Sequence, residues 1–178
     1  MSFEKVNLRC FALDCRGVLL DFVPDVQEIT KFGDPMRSFR VYFLFEKQLS
    51  PDSLDQPYVI QYRYEADGPY PNLGKRGEAS TVTRWQGDAE DMILAIGFPR
   101  AKLKPQPRHS DIWGRAPDQL RELDYHLDAG EKLVQSEEIP LTDFITCMDL
   151  DHPPERYFLV GRRARNVKPG QTFGLVIE

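Results

Sequence analysis

The sequence predicts a mainly β protein: an antiparallel β-sandwich or jelly-roll-like barrel with one or two short helices. Three observations carry this expectation. Apolar residues recur at every second position in several short runs, and 14 prolines and 12 glycines punctuate the chain as turns do. A regular strand–helix–strand rhythm, which a doubly wound α/β fold needs, is absent. Strand side chains alternate between faces, so a strand with one dry face reads with period two.

The elements follow in order. Val6, Leu8, Cys10 and Ala12 fall on one side of an extended segment, Arg16-Gly17 reads as a turn, and Val18, Leu20 and Phe22 resume the alternation. Together they predict a hairpin. Phe39, Val41, Phe43 and Phe45 form the strongest strand, with Arg40, Tyr42 and Glu46 outward. Tyr58, Ile60, Tyr62 and Tyr64 make a fourth strand, and Thr81 to Trp85, rich in β-branched residues, a fifth. Asp88 predicts the cap of a short helix through Glu90, Met92, Ile93 and Ile96, stopped by Gly97 with Pro99 beyond. Pro117 opens a second helix with Leu120, Leu123 and Leu127 on one face. The alternation of Leu123, Tyr125 and Leu127 leaves a hairpin into Lys132–Gln135 as the alternative. Arg156–Val160 and Gln171–Ile177 read as a closing hairpin around Asn166–Gly170.

Length and composition set the class. A chain of 178 residues, 41% hydrophobic and 29% charged, is expected to form a single domain over 1–178, since domains run to roughly 100–200 residues. No apolar run approaches the roughly 18–20 residues that cross a bilayer. Cys10, Cys15 and Cys147 are odd in number and suggest no disulfide framework. Met1 to Leu13 alternates charge and apolarity and lacks the apolar core of a secretion signal. A soluble, reducing, cytoplasmic setting is the simplest expectation. The net charge of −5 and pI near 5.3 argue against a nucleic-acid surface over the whole molecule.

Chemistry-bearing patterns are sparse. GxSxG, HExxH, GxxxxGK[ST] and GxGxxG are all absent, which speaks against the common hydrolases, nucleotide binders and hydride-transfer enzymes. His109, His126 and His152 share no local metal-ligand spacing and are weak metal candidates. His152 sits in an acidic loop, Asp149 to Pro154, whose plainer reading is a solvated loop. Cys10 and Cys147 read as small buried hydrophobes, while Arg16 beside Cys15 would favour its thiolate. No cofactor is expected.

Charge and aromatic residues give the sharper candidates. Arg100, Lys102, Lys104 and Arg108 form a basic loop, and Arg156, Arg162, Arg163, Arg165 and Lys168 a second basic cluster. Between them, Asp118 to Asp151 carries ten acids against Arg121 and Lys132. The basic segments either form an anion-binding face or lie against the chain's own acids. Two long irregular stretches, Ala66–Gly77 and Pro99–Pro117, hold Tyr70 and Trp113, and Trp85 ends a strand. Long loops in compact domains are usually functional or disordered, and Tyr and Trp suit contact surfaces. The expected function is therefore a non-enzymatic binding or assembly module for a protein, peptide or glycan partner. Its binding residues are Tyr70, Trp85, Trp113, Arg100, Lys102, Arg162 and Arg163. The alternative is a small-molecule-binding or metal-dependent enzyme of the cupin or lipocalin-like barrel type. Nucleic acid is a lesser partner, through the basic clusters. An exposed edge strand would also allow a homo-oligomer, and the sequence does not say which edge.

Overall fold

The computed structural model describes residues 7–13, 18–29, 38–46, 59–65, 73, 76–82, 88–100, 107–123, 125–140 and 157–178. The chain divides into two compact units, Met1–Pro69 and Tyr70–Glu178.

The first unit holds two antiparallel pairs. Strand β1 (Asn7–Leu13) pairs with β4 (Val59–Glu65), and β2 (Phe22–Ile29) with β3 (Ser38–Phe45). The expected hairpin between 6–12 and 18–22 is present as a short contact, with a bridge at Leu19, while the long ladder of β1 lies elsewhere. Leu20 N–H donates to the Ala12 carbonyl at 2.9 Å, yet the ladder of β1 belongs to β4, where its aromatic-rich partner offers seven matched positions. Phe22 and Phe45 face each other across β2 and β3 with ring centroids 5.5 Å apart. Such tilted aromatic pairs stabilise a sheet beyond their area alone.

The second unit is built on β11 (Gln171–Ile177). It pairs antiparallel with β5 (Glu78–Val82) and with β7 (His109–Asp111), and parallel with the short β8 (Lys132–Leu133). A second sheet runs in the order β6 (Ala89–Pro99), β10 (Tyr157–Val167), β9 (Glu137–Glu138). The one helix described, α1 (Pro117–Glu122), begins at Pro117 as expected. Pro needs no N–H at that position, and the Gln119 side chain accepts a hydrogen bond from Ala116 N–H at 2.9 Å.

Strand β11 is apolar on both faces, and both are used. Leu175 and Ile177 pack with Ile96, Phe98 and Val160 of the β6–β10 sheet, and Phe173 with Ala164 and Val167. On its other face Val176 packs with Ile112, Leu120 and Leu123. A strand covered on both sides reads as a continuous apolar run, which is what Phe173 to Ile177 shows.

Two expectations fail in this unit. Residues 88–96 are strand, not helix: Met92, Leu94, Ile96 and Phe98 are less exposed than Ile93 and Gly97 between them. The spacing of Met92, Ile93 and Ile96 fits either period, and the unbroken pairing of Asp91–Pro99 with β10 decides for the strand. Gly97 stops nothing. It lies opposite Leu159, whose Cδ2 would stand 2.9 Å from any β-carbon there. Strands β10 and β11 do not pair as a closing hairpin either, since their ladders run in different sheets. The turn between them is closed by Gln171 N–H donating to the Lys168 carbonyl at 3.1 Å, with Gly170 at φ +76°, and Asn166 near the end of β10 is also left-handed, at φ 53°. No ring of strands closes among the described residues, so the barrel form of the expected fold is not present there.

Leu175→Ala, fully buried, is expected to lower unfolding free energy by about 2–5 kcal/mol in urea titration; a loss under about 1 kcal/mol would contradict the two-sided packing. Asn166→Val should cost about 1–2 kcal/mol, because a β-branched residue strains at positive φ. Asn166→Gly should be close to neutral by the same measurement.

Candidate functional site

The polar residues of the second unit gather where its two sheets meet at β7. His109 and Asp111 lie opposite Ile177 and Leu175, and residues opposite each other share a face, so both belong to the face of β11 that packs on the β6–β10 sheet. Ser110 belongs to the other face.

Asp111 is the hub. Its Oδ2 accepts from Ser136 N–H at 2.7 Å, from Ser136 Oγ at 2.9 Å and from Arg162 Nη2 at 3.1 Å. Arg162 also donates from Nε to Ser136 Oγ at 3.0 Å and from Nη2 to the Ser136 carbonyl at 2.5 Å. The arginine and aspartate side chains are only 12% and 15% exposed, so each charge depends on the other. The remaining oxygen, Oδ1, accepts from Trp113 N–H at 2.9 Å. An aspartate that bonds the backbone two residues on imitates a turn, and Gly114 completes this one at φ +80°. Ile112, fully buried, roots the turn in the core, and Trp113 stands half exposed.

Beside this hub, His109 Nε2 lies 3.4 Å from Glu138 Oε1. His109 Nδ1 is buried and finds no hydrogen-bond partner among the described residues. On the opposite face of the sheet, Arg115 donates to Ser110 Oγ at 2.7 Å and lies 3.6 Å from Glu178 Oε1. Arg76, Arg115, Gln119, Glu122, Leu123 and Glu178 line an open cleft there of about 390 Å³.

No known family, characterised protein or solved structure matches this chain. The site is therefore read from its own chemistry.

Of the candidate binding residues, Trp113, Arg100, Arg162 and Arg163 are described, while Tyr70, Trp85 and Lys102 lie outside the described residues, as do Cys15, Cys147 and His152. Arg162 is bound into the Asp111 network. Arg163 grips Asp91 with two donors, Nε at 2.8 Å from Oδ1 and Nη2 on Oδ2. Arg165 lies 3.2 Å from Glu137, and Lys168 2.8 Å from Asp88. Four residues of the second basic cluster thus face the chain's own carboxylates. Arg100 donates from Nε to the Tyr157 carbonyl at 2.8 Å and is exposed. His126 is exposed in the loop after α1. Among the described residues, no three His, Cys, Asp or Glu side chains are gathered so as to hold a metal ion, and no helix is long and apolar enough to cross a membrane.

Sequence reasoning missed Asp111, Ser136 and Arg115. The Asp-Ile-Trp-Gly turn is a local signal that points to Asp111. Its partners stand 25 and 51 positions away and carry no such signal.

Asp111→Ala leaves the Arg162 guanidinium buried without its counter-charge and is expected to cost about 3–5 kcal/mol in chemical unfolding. The pair Asp111→Leu with Arg162→Met should cost clearly less, since no charge remains buried. Equal losses in the two variants would show that the ion pair is not what holds this seam.

Proposed function

We propose that this chain is a non-enzymatic binding module that captures a protein, peptide or glycan partner through the 112–116 loop after β7, with Trp113 as the anchor. One observation supports it above all: a half-exposed tryptophan stands on a turn whose backbone is fastened to a buried ion pair. A large aromatic with few rotatable bonds, held in place beforehand, loses little entropy when a partner covers it. Tryptophan is also the residue most enriched among binding hot spots, along with tyrosine and arginine. Arg115, two residues on, supplies a cation on the same loop.

The packing of Leu175 and Ile177 against Ile96, Phe98 and Val160 supports reading the two sheets as the leaves of an antiparallel sandwich, with the loop at one rim. The carboxylate partners of Arg162, Arg163, Arg165 and Lys168 favour a neutralised surface over one that attracts nucleic acid. We place the protein in the cytoplasm, where its odd number of cysteines suits a reducing setting.

The test is a screen of the protein on a peptide-display library and a glycan array, repeated with Trp113→Ala. Binding should fall by about 2 kcal/mol or more, while stability stays within about 0.5 kcal/mol of the parent. Undiminished binding by a folded Trp113→Ala variant would refute the anchor. Its unfolding would assign the ring to the core.

A further inference from the structure

In the first unit, β2 and β3 form a two-stranded sheet with apolar residues on both faces. Phe22 and Phe45 stand opposite each other on one face, ring against ring and partly buried. Val23 and Leu44 stand opposite each other on the second face, and they are 63% and 55% exposed. A two-stranded sheet is marginal by itself in water. An apolar pair this open, on a strand pair that already buries its other side, has the character of a contact surface.

Period-two alternation sets the neighbours of that pair. On one side Asp25 lies opposite Tyr42. On the other side come Asp21 and Glu46, where Glu46 N–H donates to the Asp21 carbonyl at 3.4 Å. Asp21, Asp25, Tyr42 and Glu46 are all exposed. Further along, Gln27 lies opposite Arg40 and its Nε2 donates to Asp25 Oδ2 at 3.0 Å. Among the described residues, no cation pairs with Asp21, Asp25 or Glu46. In the second unit, by contrast, Asp88, Asp91, Asp111 and Glu137 each meet one. The face thus has an apolar centre between two acidic ends.

We propose that this face docks a cationic amphipathic helix of a partner protein, with its apolar stripe over Val23 and Leu44 and its lysines or arginines beside Asp21, Asp25 and Glu46. Charge complementarity selects this occupant. A second copy of the chain would bring the same carboxylates to both sides of the contact, and an anionic lipid surface would meet the same repulsion. A helix with apolar residues at i, i+3, i+4 and i+7 presents one stripe with its polar residues on both sides, which matches an apolar centre between acidic ends. The area is small, so binding in the micromolar range is expected. The contact uses no residue of the Trp113 loop.

Fluorescence anisotropy of the full chain tests this with a synthetic probe, a helical peptide of about 18 residues, or roughly five turns, whose leucine stripe is flanked by lysines. A matched peptide with glutamates in place of the lysines should bind at least about tenfold more weakly. Val23→Ser with Leu44→Ser should weaken the lysine peptide by about tenfold or more, and Asp21→Asn with Glu46→Gln by about fivefold. The second variant changes only exposed charges and keeps the test decisive if the serine variant unfolds. Trp113→Ala should bind the probe as the parent does. Failure of the lysine peptide to bind overturns the proposal, as do equal binding of the two peptides, parent-like affinity in either folded variant, or a loss in folded Trp113→Ala. A dimer of the full chain, or its binding to phosphatidylserine vesicles, that the serine variant abolishes would give the face to a second copy or to lipid and overturn it equally.

Discussion

Asp111 joins the fold of the second unit to its surface. One carboxylate oxygen holds Arg162 and Ser136 in the seam between two sheets, and the other holds the Trp113 backbone. A mostly buried carboxylate carries a large desolvation penalty unless its lone pairs are met, and here both oxygens accept hydrogen bonds. The arrangement is therefore all or nothing. Arg162 comes from β10, Ser136 from the segment between β8 and β9, and Asp111 from β7, so the seam assembles only when both sheets are in register. Once assembled, it fixes the turn that presents Trp113. The same contact that stabilises the interior thus fixes the surface turn, and in the proposed binding role it would lower the entropic cost of covering Trp113.

The apolar packing sets where that seam falls. Strand β11 is covered on both faces, by β6 and β10 on one side and by α1 with Ile112 on the other. Residues paired with β11 inherit its two faces: His109 and Asp111 turn toward the second sheet, and Ser110 turns toward α1. Polar side chains on the first face lie at the border of the apolar layer and must find partners there. Arg162 and Glu138 supply them, and they are themselves opposite each other on β10 and β9.

Much of the strand pattern was legible in the sequence. The alternation over 39–45 and 58–64 corresponds to β3 and β4, and Pro117 marks the start of α1. Segment 88–96 carries a helical pattern in the sequence, because Met92, Ile93 and Ile96 satisfy a helical spacing and Asp88 and Gly97 imitate its caps. Only the pairing with β10, more than 60 residues away, decides between the two periods. Pairing partners are the least legible feature of all: β1 gives its long ladder to β4 and only a short contact to its sequence neighbour, and β10 and β11 enter different sheets despite the short turn between them. For the site, Trp113 and the arginines were visible as residue types. Their roles were not, since Arg162 reads as a free surface cation until Asp111 is placed against it. A local pattern can announce a turn, but not the distant side chain that fastens it.

The contacts of Asp111 imply that the Trp113 turn is as firmly held as the core beneath it. Amide hydrogen exchange at Trp113 and Ser136 tests this directly, since both N–H groups donate to the Asp111 carboxylate. Their protection should approach that of the β11 amides and fall together with it under mild denaturant, because amides sharing one cooperative unit open together. Exchange at Trp113 as fast as in an exposed loop, with β11 still protected, would contradict the account and leave the tryptophan on a loose tether.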